Sequence, residues 1–327
     1  MKAFTIAEND ANQRVDKFIS KAIPRLPQAL LYKYLRTKRI KCNGKRCEIS
    51  TRLVVGDVLE LYINDEFFDG DIPSDYAFLR AGRLEGILYE DENLLLVDKQ
   101  PGLVVHEDND GTTDTLINRI LRHLHENREY DPVKELSFTP SLCNRIDRNT
   151  GGIVIAAKNA EALRILNQKI RDRELQKLYL CVVQGRLSKH EDTMTAYLEK
   201  DSAENTVRVS NRKTATNRTI VTRYRVIDEA LNSSLVEVDL ITGRTHQIRA
   251  HFAYIGHPLL GDGKYGSNRV NKAAGYASQA LYAYKLTFRF TTDGGALSYL
   301  NGRTFEVKDI WFVGKYFSDK EPQTPRF

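Results

Sequence analysis

An aspartate between two arginines is the first place where this sequence could do chemistry. Asp147 lies between Arg145 and Arg148, and a pair of glycines then leads into the apolar run 153–157. Neighbouring guanidinium groups favour the charged form of a carboxylate, which could then act as a nucleophile or as a base near neutral pH. A structural Asp–Arg turn would have the same composition, so this stretch alone leaves both interpretations open.

A second polar cluster, Thr242–His251, follows another apolar run. Arg244, His246 and Gln247 offer hydrogen-bond donors suited to phosphate and ribose oxygens, so we predict that they contact RNA. Arg249 lies five residues beyond Arg244 and, on a helix, would point elsewhere, toward a buried carboxylate. The alternative is a capped helix start with two surface arginines.

Other patterns lack the context that their chemistry requires. The G-x-G-x-x-G pattern at 261–266 neither follows a strand nor opens a helix in a βαβ unit, which favours a loop over a dinucleotide site. His246, His251 and His257 are five and six residues apart, which is not the ligand spacing of a zinc-binding helix. Four cysteines are too sparse for a disulfide framework. We therefore predict free thiols, no metal and no cofactor.

The charge of the chain is unevenly distributed. The 327 residues carry a formal charge of +6, but residues 12–63 alone contain twelve Lys and Arg against four Asp and Glu. Residues 64–79 contain five acidic residues and no basic one. We predict a small domain over 12–63, an acidic linker over 64–79 and a mildly basic large domain over 80–327.

The small domain is predicted to contain two short helices and a small sheet. Apolar residues recur at helical spacing over 15–22 and again up to Arg36, Asn43-Gly44 is a hairpin signal, and 53–63 alternates like a strand. Five basic side chains could present one face to a phosphate backbone, namely Lys33, Arg36, Lys38, Arg39 and Lys41, and we predict that the first four bind RNA. A solvated helix with basic residues near its C-terminus is the alternative.

The large domain is predicted to be strand-rich with few helices. Many strand candidates follow one another with no regular helix between them, which favours an α+β fold with a largely antiparallel sheet. The candidates are 94–97, 153–157, 178–183, 235–241, 280–284 and 286–290. Thr112 or Thr113 could cap one helix and Asn159 another, the latter with Leu163, Leu166 and Ile170 buried.

Four stretches, in order, resemble the motifs of the RluA family of RNA pseudouridine synthases. Residues 144–158 (NRIDRNTGGIVIAAK) resemble its signature H-R-L-D-x-x-T-S-G-L-L-L-x-A-K. The other three stretches are 89–106, 177–185 and 243–266, and the segment 12–63 resembles an S4 RNA-binding domain. The chain departs from the family pattern at three positions: Asn144 stands where His is usual, Gly151 where Ser is usual and Cys181 where Ala is common.

The resemblance implies roles for individual residues. Asp147 would act on the ribose, either as a nucleophile at C1′ or as a base in a glycal route, and Arg249 would pair with it. Tyr179 would lie against the uracil and help to remove the C5 proton, although most strand tyrosines are core residues. Arg145 would fill the space that an extruded uridine leaves.

These expectations combine into a function. We predict an RNA pseudouridine synthase that acts on large-subunit ribosomal RNA without a cofactor; a transfer-RNA synthase and a non-catalytic RNA-binding or ribosome-assembly factor are the alternatives. No run of about 18 apolar residues is present, and the N-terminus lacks the apolar core of a signal peptide. We therefore expect a cytoplasmic monomer with RNA, and no membrane, as its partner.

Overall fold

A computed structural model describes residues 1–68, 76–107, 111–201, 206–276 and 278–317. The predicted acidic linker falls partly outside these ranges, because Asp69, Asp71 and Asp75 are not among the described residues. Within them, no helix is both long and apolar enough to cross a membrane.

The described residues form strands and helices in the following order along the chain. The strands are β1 (Lys2–Thr5), β2 (Ile40–Cys42), β3 (Lys45–Arg46), β4 (Val58–Leu61), β5 (Ile87–Glu90), β6 (Leu94–Lys99), β7 (Ser141–Leu142), β8 (Gly151–Ala157), β9 (Leu175–Gln184), β10 (Glu191–Asp201), β11 (Thr206–Ser210), β12 (Arg218–Ala230), β13 (Ser233–Leu240), β14 (Leu281–Phe288) and β15 (Thr304–Glu306). The α-helices are α1 (Val15–Ala22), α2 (Gln28–Arg36), α3 (Leu116–Glu126), α4 (Ala160–Arg171), α5 (Gln247–Tyr254), α6 (Asn268–Ala273) and α7 (Trp311–Tyr316).

The N-terminal residues form a small antiparallel sheet in the order β1-β4-β2-β3, covered by α1 and α2. Its core is separate from the rest and includes Phe18, Ile19 and Leu31. Both predicted helices are present, and Asn43 and Gly44, with φ of 52° and 72°, form the hairpin turn. Because β1 pairs with β4, the sheet begins ten residues before the predicted boundary at residue 12.

The larger sheet confirms the predicted α+β class. Its strands run in the order β11-β10-β12-β13-β9-β14-β8-β6-β5, and within the described residues every pair is antiparallel except β14 with β8. Helices α3 and α5 contribute to the hydrophobic core on one face, and α4 and α7 to the core on the other. Strand β8 is buried along its whole length because its side chains enter these two cores in turn.

Two glycines allow β8 to approach β14 closely at the parallel contact. A Cβ on Gly151 would lie 2.2 Å from Cε2 of Tyr282, and a Cβ on Gly152 would lie 2.3 Å from the carbonyl oxygen of Ala283. Gly152 also has a φ of +115°, which side chains disfavour. The hydroxyl of Tyr282 donates to Asp98 Oδ1 at 2.6 Å and so joins β14 to β6 across this space.

The sequence predictions were accurate for the buried strands and incomplete elsewhere. Strands β6, β8, β9 and β13 appear where they were predicted, whereas the two candidates at 280–290 form one strand with a bulge. The long strands β10 and β12 were missed, since their outward positions are polar. The candidate strand at 53–63 forms only over Val58–Leu61.

The two predicted helix caps had different outcomes. Asn159 caps α4 by accepting a hydrogen bond from the Ala162 N–H, as predicted. The prediction of Thr112 or Thr113 as a cap was wrong, because α3 begins later and Thr115 accepts from the Asn118 N–H. In α4, Leu166 is fully buried, and Leu163 and Ile170 are half-buried against the same core.

Candidate active site

Asp147 lies in the turn that precedes β8, and its side chain remains 28% exposed. One of its carboxylate oxygens, Oδ2, accepts a hydrogen bond of 2.8 Å from Nη1 of Arg249, a residue 102 positions further along the chain. Among the described residues, no side chain donates to the other oxygen, Oδ1. The turn therefore presents a carboxylate that is anchored on one side and accessible on the other.

Arg249 extends from the buried face of α5 and binds two carboxylates. Its Nε and Nη2 donate to the two oxygens of Asp262 at 2.7 Å and 2.9 Å, while Nη1 reaches Asp147. Asp262 is fully buried; burial opposes its ionisation, but the hydrogen bonds from Arg249 outweigh this and lower the pKa of Asp262. Both expectations for Arg249, a buried carboxylate and Asp147, describe contacts that it makes.

The turn before α5 is held by the side chain of Gln247. Its Oε1 accepts from the Thr242 hydroxyl and from the Arg244 N–H, and its Nε2 donates to the Val221 carbonyl and the Thr222 hydroxyl. Only 2% of Gln247 is exposed, so all of its polar atoms serve the turn. The Arg244 side chain, by contrast, is exposed to solvent.

His246 occupies the position before α5 with a left-handed backbone, φ 52° and ψ 17°. Its Nδ1 lies 2.8 Å from the Tyr265 hydroxyl, and its Nε2 lies 3.8 Å from Oδ2 of Asp147. Burial lowers the pKa of His246; the charge of Asp147 opposes this shift, and that of Arg249 adds to it. The imidazole is therefore neutral at pH 7 and adjacent to the accessible carboxylate.

Tyr179 points from β9 into the core that adjoins the site and is 7% exposed. Burial, together with the negative charge of Asp147, raises the pKa of Tyr179 well above its usual range. The phenol is consequently protonated near neutral pH. It can donate a hydrogen bond, but the free protein holds no phenolate that could serve as a ready base.

Lys99 binds backbone carbonyls of the turn that holds Asp147 and of the segment after β6. The sequence did not predict this role. This buried ammonium group donates to the carbonyls of Gln100, Leu103 and Arg148 at 3.0, 2.9 and 2.9 Å. Burial lowers the pKa of Lys99 to about 8, and the charge of Asp147 opposes the shift. A lysine that ends a strand begun by four apolar residues was the available signal.

Asn144, where the family pattern has His, closes the other end of the same turn. Its Oδ1 accepts from the Ile155 N–H at 2.8 Å, and its Nδ2 donates to the Ile153 carbonyl at 3.3 Å. The departure thus leaves a side chain that ties the turn to β8.

The remaining predicted RNA-contacting residues lie on the surface. Arg145 is exposed two positions before Asp147. In the N-terminal domain, four basic side chains at the end of α2 are exposed: Lys33, Arg36, Lys38 and Arg39. None of them forms an ion pair with a described residue. In the described part of the chain, no group of three or more His, Cys, Asp or Glu side chains could hold a metal ion.

Comparisons with known proteins give this geometry a context. The family profile described as RNA pseudouridylate synthase matches residues 93–254. An RNA pseudouridine synthase of Mycoplasma genitalium is 34% identical over 87% of this chain and 88% of its own length. Ribosomal large subunit pseudouridine synthase C of Haemophilus influenzae is 31% identical, over 95% and 94%, and that of Escherichia coli is 30% identical, over 90% of each chain.

A solved structure shares the fold. Human RNA pseudouridylate synthase domain containing 4 superposes with a TM-score of 0.54 at 23% identity, over 69% of this chain and 89% of that one.

Proposed function

Because this chain belongs to the RNA pseudouridylate synthase family and is therefore an isomerase that acts on RNA, we propose that its substrates are uridines of large-subunit ribosomal RNA and that Asp147 is its essential group. The observation that carries the proposal is the chain of ion pairs Asp147–Arg249–Asp262, which anchors one accessible carboxylate. The names of the relatives in Haemophilus influenzae and Escherichia coli support the choice of RNA.

The reaction rearranges a nucleoside without oxidation or reduction. The bond between C1′ and N1 breaks, the uracil turns, a bond forms between C1′ and C5, and the C5 proton is lost while N1 gains one. Asp147 acts on the ribose, either by attack on C1′ or by removal of a proton in a glycal route. Both routes need an oriented carboxylate with one open oxygen, and Arg249 occupies only Oδ2.

We assign Tyr179 to contact with the uracil. We assign Arg145 to the space that the flipped uridine leaves among the stacked bases of the RNA. Extruding a uridine from folded RNA costs a few kcal/mol, and an exposed guanidinium beside Asp147 can occupy the vacated space. Tyr179 faces the uracil as a neutral phenol, because its pKa is raised. For Tyr179 to receive the C5 proton, its own proton must be transferred onward in the same step.

The N-terminal domain is assigned to RNA binding, as an S4-like unit connected by the acidic segment to the large domain. Its contacts with the large domain support a fixed position: Asn9 donates to Glu135 at 3.1 Å and accepts from the Ala160 N–H. In addition, Ser137 donates to Asp10 at 2.6 Å. A docked basic domain would hold long RNA at a constant distance from Asp147.

The proposal is tested with Asp147→Asn, which keeps the shape of the side chain and removes its charge. We expect turnover to fall by more than roughly a thousandfold on a large-subunit RNA transcript, while RNA binding is retained. The measurement is chemical marking of pseudouridine, and Asp192→Asn, a change on the surface of β10, is the matched control. Product at the wild-type rate from Asp147→Asn would refute the role of Asp147.

The choice of RNA needs a separate experiment. Pseudouridine is mapped across all cellular RNA with and without the gene, and we expect the missing positions to lie in large-subunit ribosomal RNA. Losses confined to transfer RNA would overturn this choice and leave the enzyme class untouched.

A further inference from the structure

The hydroxyl of Tyr265 is hydrogen-bonded to His246 and bears on which nitrogen of the imidazole carries the proton. Within the described residues this hydroxyl has two hydrogen-bond partners, the Val207 N–H at 2.9 Å and Nδ1 of His246 at 2.8 Å. A backbone N–H can only donate, so the phenol oxygen accepts from Val207. This leaves the hydroxyl proton available to His246, and in that arrangement Nδ1 is the acceptor.

A neutral imidazole whose Nδ1 accepts has its proton on Nε2. This Nε2–H lies 3.8 Å from Oδ2 of Asp147, the oxygen that also accepts from Arg249. That distance is longer than a direct hydrogen bond and allows either a bridging water or a contact that shortens when substrate binds. The donor is thus adjacent to the carboxylate before any RNA is present.

Three features hold the imidazole in place. The backbone of His246 is left-handed, a conformation that is uncommon for a residue with a side chain and is found at functional sites. Gln247, the next residue, is tied into the fold through four hydrogen bonds. The ring of Tyr265 also packs edge-on against the imidazole, with centroids 5.6 Å apart.

Burial favours the neutral state of His246, and the charged groups around it act in both directions. Burial is the main cause of its lowered pKa; Asp147 and Asp262 oppose the shift, whereas Arg249 and Lys264 add to it. Protonation of Nδ1 would also require the Tyr265 hydroxyl to accept a second hydrogen bond in place of the one it donates.

We propose that His246 is a positioning residue for Asp147: a neutral imidazole, held by Tyr265 in the Nε2–H form, that together with Arg249 orients the carboxylate toward the ribose. This inference rests on the proposed role of Asp147 and replaces a simple RNA contact as the function of His246. It assigns Tyr265 to the same unit, one step further from the reacting atoms.

Two substitutions of His246 separate the donor from the backbone. Asparagine tolerates the left-handed conformation, but its amide does not extend beyond the place of Nδ1, whereas glutamine can put an N–H near the place of Nε2. We expect His246→Asn to lower kcat roughly ten- to a hundredfold with little change in KM, and His246→Gln to recover part of the loss. A raised KM with unchanged kcat in His246→Asn would overturn the proposal in favour of an RNA contact.

The tautomer itself is measured by ¹⁵N NMR of the histidine side chains. We expect the wild-type His246 signal to show a protonated Nε2 and an unprotonated Nδ1 at pH 7. In Tyr265→Phe we expect His246 to show a mixture of tautomers and a higher pKa. A wild-type signal from an Nδ1–H or charged imidazole would overturn the proposal.

A parallel assay of Asp147→Asn distinguishes this failure from that of the proposed function. An active Asp147→Asn refutes the function, whereas an inactive Asp147→Asn beside a fully active His246→Asn refutes only the present inference.

Discussion

The cations of the candidate site and those of the N-terminal domain differ in how they are held. Arg249 is 7% exposed and donates to Asp147 and Asp262 at fixed distances. The basic side chains around the end of α2 are exposed and lie beside no described carboxylate. A buried charge acts through its geometry, and its loss leaves a partner uncompensated. Exposed charges bind a polyanion through their total number, so the loss of any one of them has a small effect.

The largest effect is expected from removing the buried cation. Arg249→Met leaves Asp262 charged and buried, and we expect the free energy of unfolding to fall by roughly 3–5 kcal/mol together with loss of turnover. The double variant Arg249→Met/Asp262→Asn should regain much of the stability and none of the activity. Denaturant unfolding and the pseudouridine assay measure the two quantities. Activity in the double variant would show that the arginine serves only to neutralise Asp262.

Tyr179→Phe tests whether the Tyr179 hydroxyl in the candidate active site takes part in proton transfer. If Tyr179 relays the C5 proton, we expect kcat to fall roughly a hundredfold or more with RNA affinity retained. Tyr224→Phe is the control, since the hydroxyl of this buried tyrosine donates to the Lys189 carbonyl and lies outside the proposed site. A similar, small loss in both variants would assign Tyr179 to packing alone.

The buried region should also respond to pH where the exposed one does not. Burial lowers the pKa of His251 to about 4, while the unfolded chain takes up this proton near 6.5. The stabilising contribution is therefore complete above pH 6.5 and is lost as the pH falls toward 4, by about 3 kcal/mol. Unfolding at several pH values should show this slope in the wild type and in the exposed-site control His190→Gln, but not in His251→Gln. A slope that survives in His251→Gln contradicts the assignment.

The smallest single effects are expected on the basic surface. Changing Lys33, Arg36, Lys38 and Arg39 together to Gln should weaken the binding of long RNA. The slope of log K against log salt concentration should become shallower by about three units. Lys33→Gln alone should change this slope by less than about one unit. Four exposed cations of the large domain that have acidic partners give a charge-matched control: Lys134, Arg186, Lys189 and Arg208. Equal weakening by both sets would remove the distinction between the two regions.

The parts that sequence could predict are local. Helices α1 and α2, the hairpin at Asn43 and the buried strand β8 follow from spacing, turn chemistry and apolar runs within a few residues. Strands β10 and β12 escaped notice because a half-exposed strand resembles a polar loop. For Arg249, the sequence predicted contact with a buried carboxylate but did not identify Asp262 as that carboxylate.

Lys99 and Tyr265 show why the rest of the site was out of reach. Their partners, the Arg148 carbonyl and Nδ1 of His246, lie 49 and 19 residues away. Neither contact has a periodicity or a motif of its own. Only the folded sheet brings these atoms to hydrogen-bond distance.

The close approach at Gly151 has a consequence for how this site can vary among related sequences. Serine, the residue usual in the family at this position, would place its Cβ 2.2 Å from a ring carbon of Tyr282, and Tyr282 is the residue that reaches Asp98. A chain with serine here must therefore carry a smaller or displaced side chain at the position of Tyr282. Positions 151 and 282 are expected to covary, so that either substitution alone is disfavoured and the pair is tolerated.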